Sequence, residues 1–344
     1  MTTSAQTQSQ TQAKTQPQTG QPTAAGPVDL STALTRAPRS LWRDAWSRLL
    51  HNKAAVAGAI VIVFFMFVAL FAHVLAPHNP LELNSGKGFL PPMWVQASST
   101  GKAGSQEFIL GTDNLGRDVL SRVIYGARVS MVVGFIPTLI IVLVGVSIGM
   151  ISGYWGGATD NLLMRFTDIV YAFPDLLFFI IVMTALRATA IGQFLNGLFL
   201  LFVALALVNW VGVARLVRGQ VLALKERDFV MASRAVGATH TRIMFRHILP
   251  NSLGVIIVAM AFLIPGAIIT EAVLGYLGLG LRPSTDPNDI FITSWGSMLL
   301  EGQTAINNQP WILLAPAIAV ALVVLSFNFL GDGLRDALDP RLRE

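Results

Sequence analysis

Long apolar stretches without a charged residue recur along the chain from residue 54 onward. Four of them contain no Asp, Glu, Lys or Arg, and they are residues 54–77, 129–159, 188–214 and 302–331. Two further stretches each contain a single acid: residues 169–186 contain Asp175, and residues 251–281 contain Glu271. A helix needs about 20 apolar residues to cross a membrane, whereas strands of a membrane barrel alternate over about 10 residues. The pattern therefore predicts an all-α, polytopic membrane protein with six transmembrane helices.

The composition agrees with a chain that lies mostly in lipid. Hydrophobic residues make up 53% of the 344 residues, charged residues only 12%, and the mean hydropathy is +0.61. Soluble domains carry about 25% charged residues, so this chain cannot cover a water-facing surface with polar side chains. There is no cysteine, which excludes disulfides, thiolate chemistry and cysteine-based metal sites. The five histidines form no HExxH pattern, and no metal site is predicted.

Lysine and arginine are distributed unequally between the two sides of the predicted spans. If the N-terminus is cytoplasmic, 17 of these residues lie inside and 7 lie outside. Cytoplasmic segments carry the excess of Lys and Arg in membrane proteins. We therefore predict cytoplasmic N- and C-termini in a bacterial inner membrane. The net charge of +5 is interpreted as an orientation signal, with the lipid bilayer and not a nucleic acid as its partner.

The segments that flank the spans have distinct compositions. Residues 1–37 are dominated by Gln, Thr, Ser, Pro and Ala, which predicts a disordered cytoplasmic tail. In residues 38–53, Trp and Leu alternate with Arg at helical spacing, as in an amphipathic helix that lies in the headgroup plane. The remaining predicted segments are span one at 54–77, an extracytoplasmic loop at 78–128, a core at 129–334 that includes a cytoplasmic loop at 220–252, and a cytoplasmic tail at 335–344.

The cytoplasmic loop between predicted spans four and five contains two short helical patterns on either side of Gly237. A glycine at this point permits a sharp turn. Pro250 is expected to end the second helix and direct the chain into span five. The alternative is a basic amphipathic loop that rests on lipid headgroups.

The same loop resembles a cytoplasmic motif of ATP-binding-cassette importer permeases, E-A-A-x3-G-x9-I-x-L-P. Gly237, Leu249 and Pro250 match in register, and Ala232 occupies the position of the first Ala. Three positions depart from the motif: Met231 replaces the Glu, Ser233 replaces the second Ala, and His247 replaces the Ile.

Four further stretches resemble one branch of this family, the second permease type of dipeptide, oligopeptide and nickel importers. Residues 110–122 read LGTDNLGRDVLSR, residues 271–280 read EAVLGYLGLG, and residues 295–299 read WGSML. Residues 328–341, NFLGDGLRDALDPR, are similar to the C-terminal segment of that branch. The resemblance covers most of the chain from about residue 40.

This resemblance implies a permease subunit that translocates short peptides. The implied partners are a second homologous permease subunit, two cytoplasmic ATPase subunits and an extracytoplasmic solute-binding protein. ATP and magnesium would be bound by the ATPases, because this chain has no G-x-x-x-x-G-K-[ST] loop: Gly101-Lys102 is followed by Ala103. No cofactor and no catalytic residue are predicted in this chain. The ATPase-coupling residues that the motif and its charges indicate are Met231, Ala232, Ser233, Arg234, Gly237, Arg242, Leu249 and Pro250.

Four polar residues inside the predicted spans are candidates for the translocation path, namely Asp175, Asn209, Glu271 and Asn328. Ionisable residues in spans are costly and usually face protein or a water-filled cavity. Each of the four has an equally simple structural role, a hydrogen bond between helices.

The sequence is also compatible with other classes of membrane protein. A permease for nickel chelates or another peptide-like solute would carry the same motifs. A stand-alone channel or secondary transporter would usually show paired broken helices and an internal repeat. An intramembrane protease would need a Ser–His pair or two Asp at membrane depth, and no such pair is evident in the predicted spans.

Overall fold

The computed structural model describes residues 41–96, 101–286 and 289–339, and the predicted disordered tail at 1–37 lies outside these ranges. All regular elements in the described ranges are helices, apart from one isolated β-bridge between Thr112 and Asp118. The helices are α1 Leu41–His51, α2 Lys53–Leu70, α3 Ala72–Leu75, α4 Val119–Trp155, α5 Gly157–Tyr171, α6 Asp175–Leu186, α7 Ala190–Gln193, α8 Leu198–Lys225, α9 Asp228–Ala235, α10 His240–Ile243, α11 Leu249–Tyr276, α12 Trp295–Ala305 and α13 Trp311–Leu338. A π-helical turn, Met244–Ile248, joins α10 to α11.

Five of these helical segments are long and apolar enough to cross a membrane, and they contain α2, α4, α8, α11 and α13. The sixth crossing is the pair α5 and α6, which bends by 76° at the break between the helices. Asp160, near the start of α5, is bound by Arg218 near the end of α8, whereas Arg187, after α6, donates to the Gly278 carbonyl beyond α11. The pair therefore connects opposite ends of the bundle, and six crossings account for the all-helical fold.

The predicted third span, residues 169–186, ends where α6 ends but starts twelve residues late, and it is wrong as a single straight helix. Tyr171 ends α5, Pro174 precedes α6, and α6 alone has only 12 residues. A proline removes a backbone donor and restricts the residue before it, so the helix breaks there.

The predicted start of span two at residue 129 is wrong by ten residues. Helix α4 begins at Val119, where the Asp118 side chain accepts hydrogen bonds from the backbone amides of Leu120 and Ser121. The loop that was predicted to be extracytoplasmic therefore ends at residue 118. The charge-free criterion missed the first turns because α4 contains Arg122 and Arg128, and both arginines are satisfied by protein partners.

Spans four and six also differ from their predicted bounds. Residues 188–197 form α7 and a turn in which Leu195, Asn196 and Gly197 have positive φ, so the long helix begins only at Leu198. It then continues past Ala214 to Lys225, and the predicted loop at 220–252 therefore starts at residue 226. The predicted span six, 302–331, crosses the break between α12 and α13, where Pro310 precedes the first residue of α13.

A ladder of glycines lets α4 and α8 approach closely. Gly145, Gly149 and Gly153 recur every fourth residue on α4, so they share one face. A Cβ atom at Gly145 would lie 2.6 Å from Val213 Cβ, and one at Gly149 would lie 2.5 Å from the Ala214 carbonyl oxygen. Small residues at such positions permit the close backbone contact that drives helix association in lipid.

The amphipathic helix predicted at 38–53 corresponds to α1, Leu41–His51. Asn52 then caps α2 by accepting hydrogen bonds from the amides of Ala54 and Ala55. Trp46 is 63% exposed and Ala45 is buried, so α1 presents an aromatic side chain outward next to the first span.

Candidate coupling surface and membrane-embedded polar residues

The loop between α8 and α11 is a helix–turn–helix, as predicted. Helix α9 ends in a Schellman motif, in which the Gly237 amide donates to the Arg234 carbonyl and the Ala238 amide donates to the Ser233 carbonyl. Gly237 has φ +80°, a left-handed conformation that costs a residue with a Cβ about 1–2 kcal/mol. Thr239 caps the next helix by accepting from the Arg242 amide.

Three buried apolar side chains fasten this loop to the membrane helices. Val230, Ile243 and Ile248 are each fully buried and belong to one hydrophobic cluster with residues of α4 and α8, including Met150 and Val221. Burial of an aliphatic side chain contributes about 1.5–3 kcal/mol relative to exposure. The loop is thus a rigid extension of the bundle.

The other face of the loop is open. Phe229 is 40% exposed, Met231 49% and Val236 86%. Of the predicted coupling residues, Ala232, Arg234, Gly237 and Arg242 are also exposed, while Ser233 and Leu249 are partly buried. Ser233 Oγ lies 3.3 Å from His247 Nε2, so the side chain that replaces the second motif Ala joins α9 to the following π turn.

The expectation that Pro250 ends the second helix of the loop is wrong. The helix runs on through the π turn Met244–Ile248 into α11, and Pro250 occupies its first turn, where a missing amide donor is tolerated. Residues 240–276 therefore form one continuous helical segment that joins the coupling loop to span five.

Polar contacts at the end of the bundle that carries the loop between α8 and α11 were not predicted. Arg218 forms a two-pronged ion pair with Asp160, with both N–O distances at 2.6 Å, and Ser152 donates to the same carboxylate. The Tyr154 hydroxyl and His240 Nδ1 share a hydrogen bond of 2.8 Å. These contacts connect α4, α5, α8 and α10. The available signal was that Asp160 directly follows one charge-free stretch and that Arg215 and Arg218 follow another.

The four candidate path residues occupy different environments. Asp175 is exposed in the first turn of α6, directly after the break at Pro174, and is not enclosed by apolar residues as the sequence pattern implied. Asn209 in α8 and Asn328 in α13 are half-buried. Asn209 precedes Trp210, which lines an apolar groove of about 650 Å³ between α4 and α8. The structure does not bring these residues together into one site.

Glu271 is fully buried near the outer end of α11. Neither of its carboxylate oxygens has a hydrogen-bond partner among the residues that the structure describes. A Cβ atom at Gly296, in the first turn of α12, would lie 3.0 Å from Glu271 Oε1. The side chain therefore faces α12 of the same chain and not an open groove.

A buried ion-pair cluster at the outer end was also missed. Arg122 donates to Asp113 at 2.6 Å and to Glu301 Oε1 at 2.9 Å, and Arg117 bridges the same two carboxylates at 2.6 and 2.9 Å. Arg122 is 2% exposed and Asp113 1%. The cluster joins the loop before α4, helix α4 itself and α12.

Part of this cluster was visible as a polar motif, because residues 110–122 include Asp113, Arg117 and Arg122. Glu301 lies 179 residues beyond Arg122, and no local pattern connects the two. In the segment between α11 and α12, hydrogen bonds from Ser284 and Asn196 lower the pKa of Asp289.

Two parts of the chain match known protein families, in agreement with the motifs in its sequence. Residues 145–344 match the family described as binding-protein-dependent transport system inner membrane component, which is more than half of the chain. Residues 40–92 match the N-terminal TM domain of oligopeptide transport permease C.

Individual relatives extend over nearly the whole chain. The oligopeptide transport system permease protein OppC of Bacillus subtilis is 39% identical, with 94% of this chain and 97% of the relative covered. The dipeptide transport system permease protein DppC of Haemophilus influenzae is 38% identical, with 91% and 99% covered. OppC of Escherichia coli K12 is 41% identical, with 89% and 93% covered.

A solved structure supports the fold. A chain of the inward-facing MetNI methionine ABC transporter aligns with a TM-score of 0.50 and 17% identity, with 64% of this chain and 96% of that chain covered. The identity is low, so this likeness concerns the arrangement of helices alone. With the family match over residues 145–344 and relatives near 40% identity, the chain belongs to the binding-protein-dependent transport system inner membrane components, in the branch of oligopeptide and dipeptide permeases.

Proposed function

We propose that this chain is a permease subunit of an ATP-driven importer that translocates short peptides delivered by an extracytoplasmic solute-binding protein. The observation that carries the proposal is the helix–turn–helix around Gly237. One of its faces is exposed, and buried side chains fix it to α4 and α8. The names of the relatives, oligopeptide and dipeptide transport permeases, support the choice of solute.

The exposed face of the coupling loop is suited to bind two kinds of surface. Phe229, Met231 and Val236 offer apolar contact, and Arg234 and Arg242 offer positive charge. Neither arginine forms an ion pair with another residue of the described ranges, so both are free to bind acidic groups of a cytoplasmic ATPase subunit. ATP and magnesium belong to that partner in this proposal.

The remaining partners follow from the same scheme. A second, homologous permease subunit would complete the translocation path, and two ATPases would bind the two coupling loops. Asp175, Asn209 and Asn328 remain candidates for contact with the solute, because each is at least partly exposed in this chain.

The solute is tested by uptake. The transporter, purified with its co-expressed partner subunits and reconstituted in vesicles, should accumulate labelled di- to pentapeptides in an ATP-dependent manner when the solute-binding protein is added. A nickel chelate serves as the competing solute. Uptake of the nickel chelate without uptake of any peptide would contradict the proposed solute, and failure to co-purify an ATPase would contradict the proposed role.

The orientation of the chain is tested by cysteine labelling, which is clean because the chain contains no cysteine. Single cysteines at Ser4 and Ala238 should react only with a reagent that reaches the cytoplasm. A cysteine at Leu115, which is 49% exposed in the outer loop, should react with an impermeant reagent added outside. Labelling of the Ala238 cysteine from outside would reverse the proposed orientation.

A further inference from the structure

Glu271 combines two features that need a common explanation. Its side chain is fully buried, and no hydrogen bond to a described residue satisfies either carboxylate oxygen. A carboxylate in such a place is expensive unless other groups compensate its charge. Protonation of the carboxyl group or a group on the elements packed against the outer end of α11 can supply that compensation.

The first turn of α12 faces this carboxylate. Ser294 caps α12, and its side chain accepts a hydrogen bond from the Ser297 amide and not from Glu271. Gly296 follows in the first turn, and a Cβ there would lie 3.0 Å from Glu271 Oε1 and 2.9 Å from the Glu271 carbonyl oxygen. Helix α12 has 11 residues, and the N-terminus of a helix carries partial positive charge.

Glycines bring the two helices close enough for this interaction. A Cβ at Gly275 of α11 would lie 2.6 Å from the Cα of Gly296, so the backbones are in contact. Gly280 closes the other side, where a Cβ would lie 3.6 Å from Glu271 Oε1. The carboxylate is therefore enclosed by backbone and directed at the first turn of α12.

The far end of α12 is also fixed by charge. Glu301, on the last turns of α12, receives hydrogen bonds from Arg117 and Arg122 of the outer cluster. Helix α12 is thus held at its N-terminal end by α11 and at its C-terminal end by α4. The helix that carries Glu271 continues without interruption from His240, at the coupling loop.

We propose that Glu271 is a positioning residue that fixes the first turn of α12 to the outer end of α11. Through this contact the short outer helix follows any movement of the helix that carries the coupling loop. The role of that movement in transport rests on the function proposed above, but the contact itself does not.

Spin labels at the substitutions Tyr276→Cys and Gln303→Cys report the distance between α11 and α12, because both residues are exposed. The measurement uses the transporter purified with its partners in nanodiscs. Glu271→Gln should increase the population in which α12 is displaced from α11 about tenfold over the protein with Glu271, which corresponds to about 1.4 kcal/mol. This is the size of a charge–dipole contact in a partly buried site. The matched control is Thr270→Val, one residue away on α11, where the half-buried threonine hydroxyl donates only to the Gly266 carbonyl of its own helix.

A second variant tests the contact from the side of α12. Gly296→Ala places a methyl group against the carboxylate and should produce the same displacement, whereas Gly266→Ala, which has open space around it, should not. Distances that match the Thr270→Val control in both Glu271→Gln and Gly296→Ala would overturn the proposal. Unchanged distances with an altered apparent KM for solute would instead place Glu271 on the translocation path.

Failure of this proposal is distinguishable from failure of the proposed function. The distance measurement needs no solute and applies whichever solute is carried. In uptake, a positioning role lowers the maximal rate of Glu271→Gln and leaves the apparent KM unchanged.

Discussion

Gly237→Val should reduce ATP-dependent uptake about tenfold while the membrane helices remain folded. Gly237 has φ +80°, and a Cβ placed there has no neighbour within 4 Å, so the substitution introduces backbone strain without a clash. That strain, about 1–2 kcal/mol and larger for a β-branched side chain, favours a different angle between α9 and α10. A cost of about 1.4 kcal/mol lowers the population of the loop conformation that binds the ATPase about tenfold.

The measurement is solute uptake and ATPase co-purification from the same vesicles, with the thermal stability of the purified chain as a check on folding. Gly219→Val is the matched control, because Gly219 also has open space around it but lies within helix α8. Normal uptake with Gly237→Val would show that the loop is a surface helix without a coupling role.

Arg122→Met should destabilise the protein by about 3–5 kcal/mol, the cost of removing one partner from a buried ion pair. Asp113 is 1% exposed, and it would lose its bond to Arg122, while Glu301 would lose its bonds to the same arginine. Arg117 still contacts both carboxylates, so the loss affects one of two bridging cations. The outer loop and α12 should separate from α4 first.

Thermal unfolding of the purified chain in nanodiscs measures this effect. The control is Lys87→Met, which removes an ion pair with Glu107 in the same loop, where the two side chains are 43% and 45% exposed. Exposed pairs contribute at most about 1 kcal/mol. Equal melting temperatures for the two variants would mean that the buried cluster contributes no more than an exposed pair.

The hydrophobic pattern was sufficient to predict the fold class and six crossings, because the length of an apolar run is set by the thickness of the membrane. It failed where a helix boundary depends on something other than apolarity. Pro174 and Pro310 break helices inside apolar stretches. The spans were predicted from the absence of charged residues, and a proline does not change that count. Arg122 had the opposite effect, since a charge that pairs inside the protein does not end a helix.

The candidate site was predictable to the extent that it is local. The positive φ of Gly237 and the helical arms around it follow from residues adjacent in sequence. The role predicted for Pro250 was wrong because the sequence does not reveal the π turn that precedes it. In a π turn each backbone hydrogen bond spans one residue more than in an α-helix. Glu271 was placed in a span correctly, but its neighbour Gly296 is reached only through the packing of α12.

The π turn at Met244–Ile248 has a further consequence for the angular setting of the coupling loop. A π turn accommodates one more residue than an α-helical turn, and each residue of an α-helix rotates the chain by about 100°. The five residues of this turn therefore fix the direction in which the exposed face around Met231 and Arg234 points relative to span five. Shortening the turn by one residue would make the helix regular and turn that face by more than a quarter of a circle, even though each coupling side chain would be unchanged.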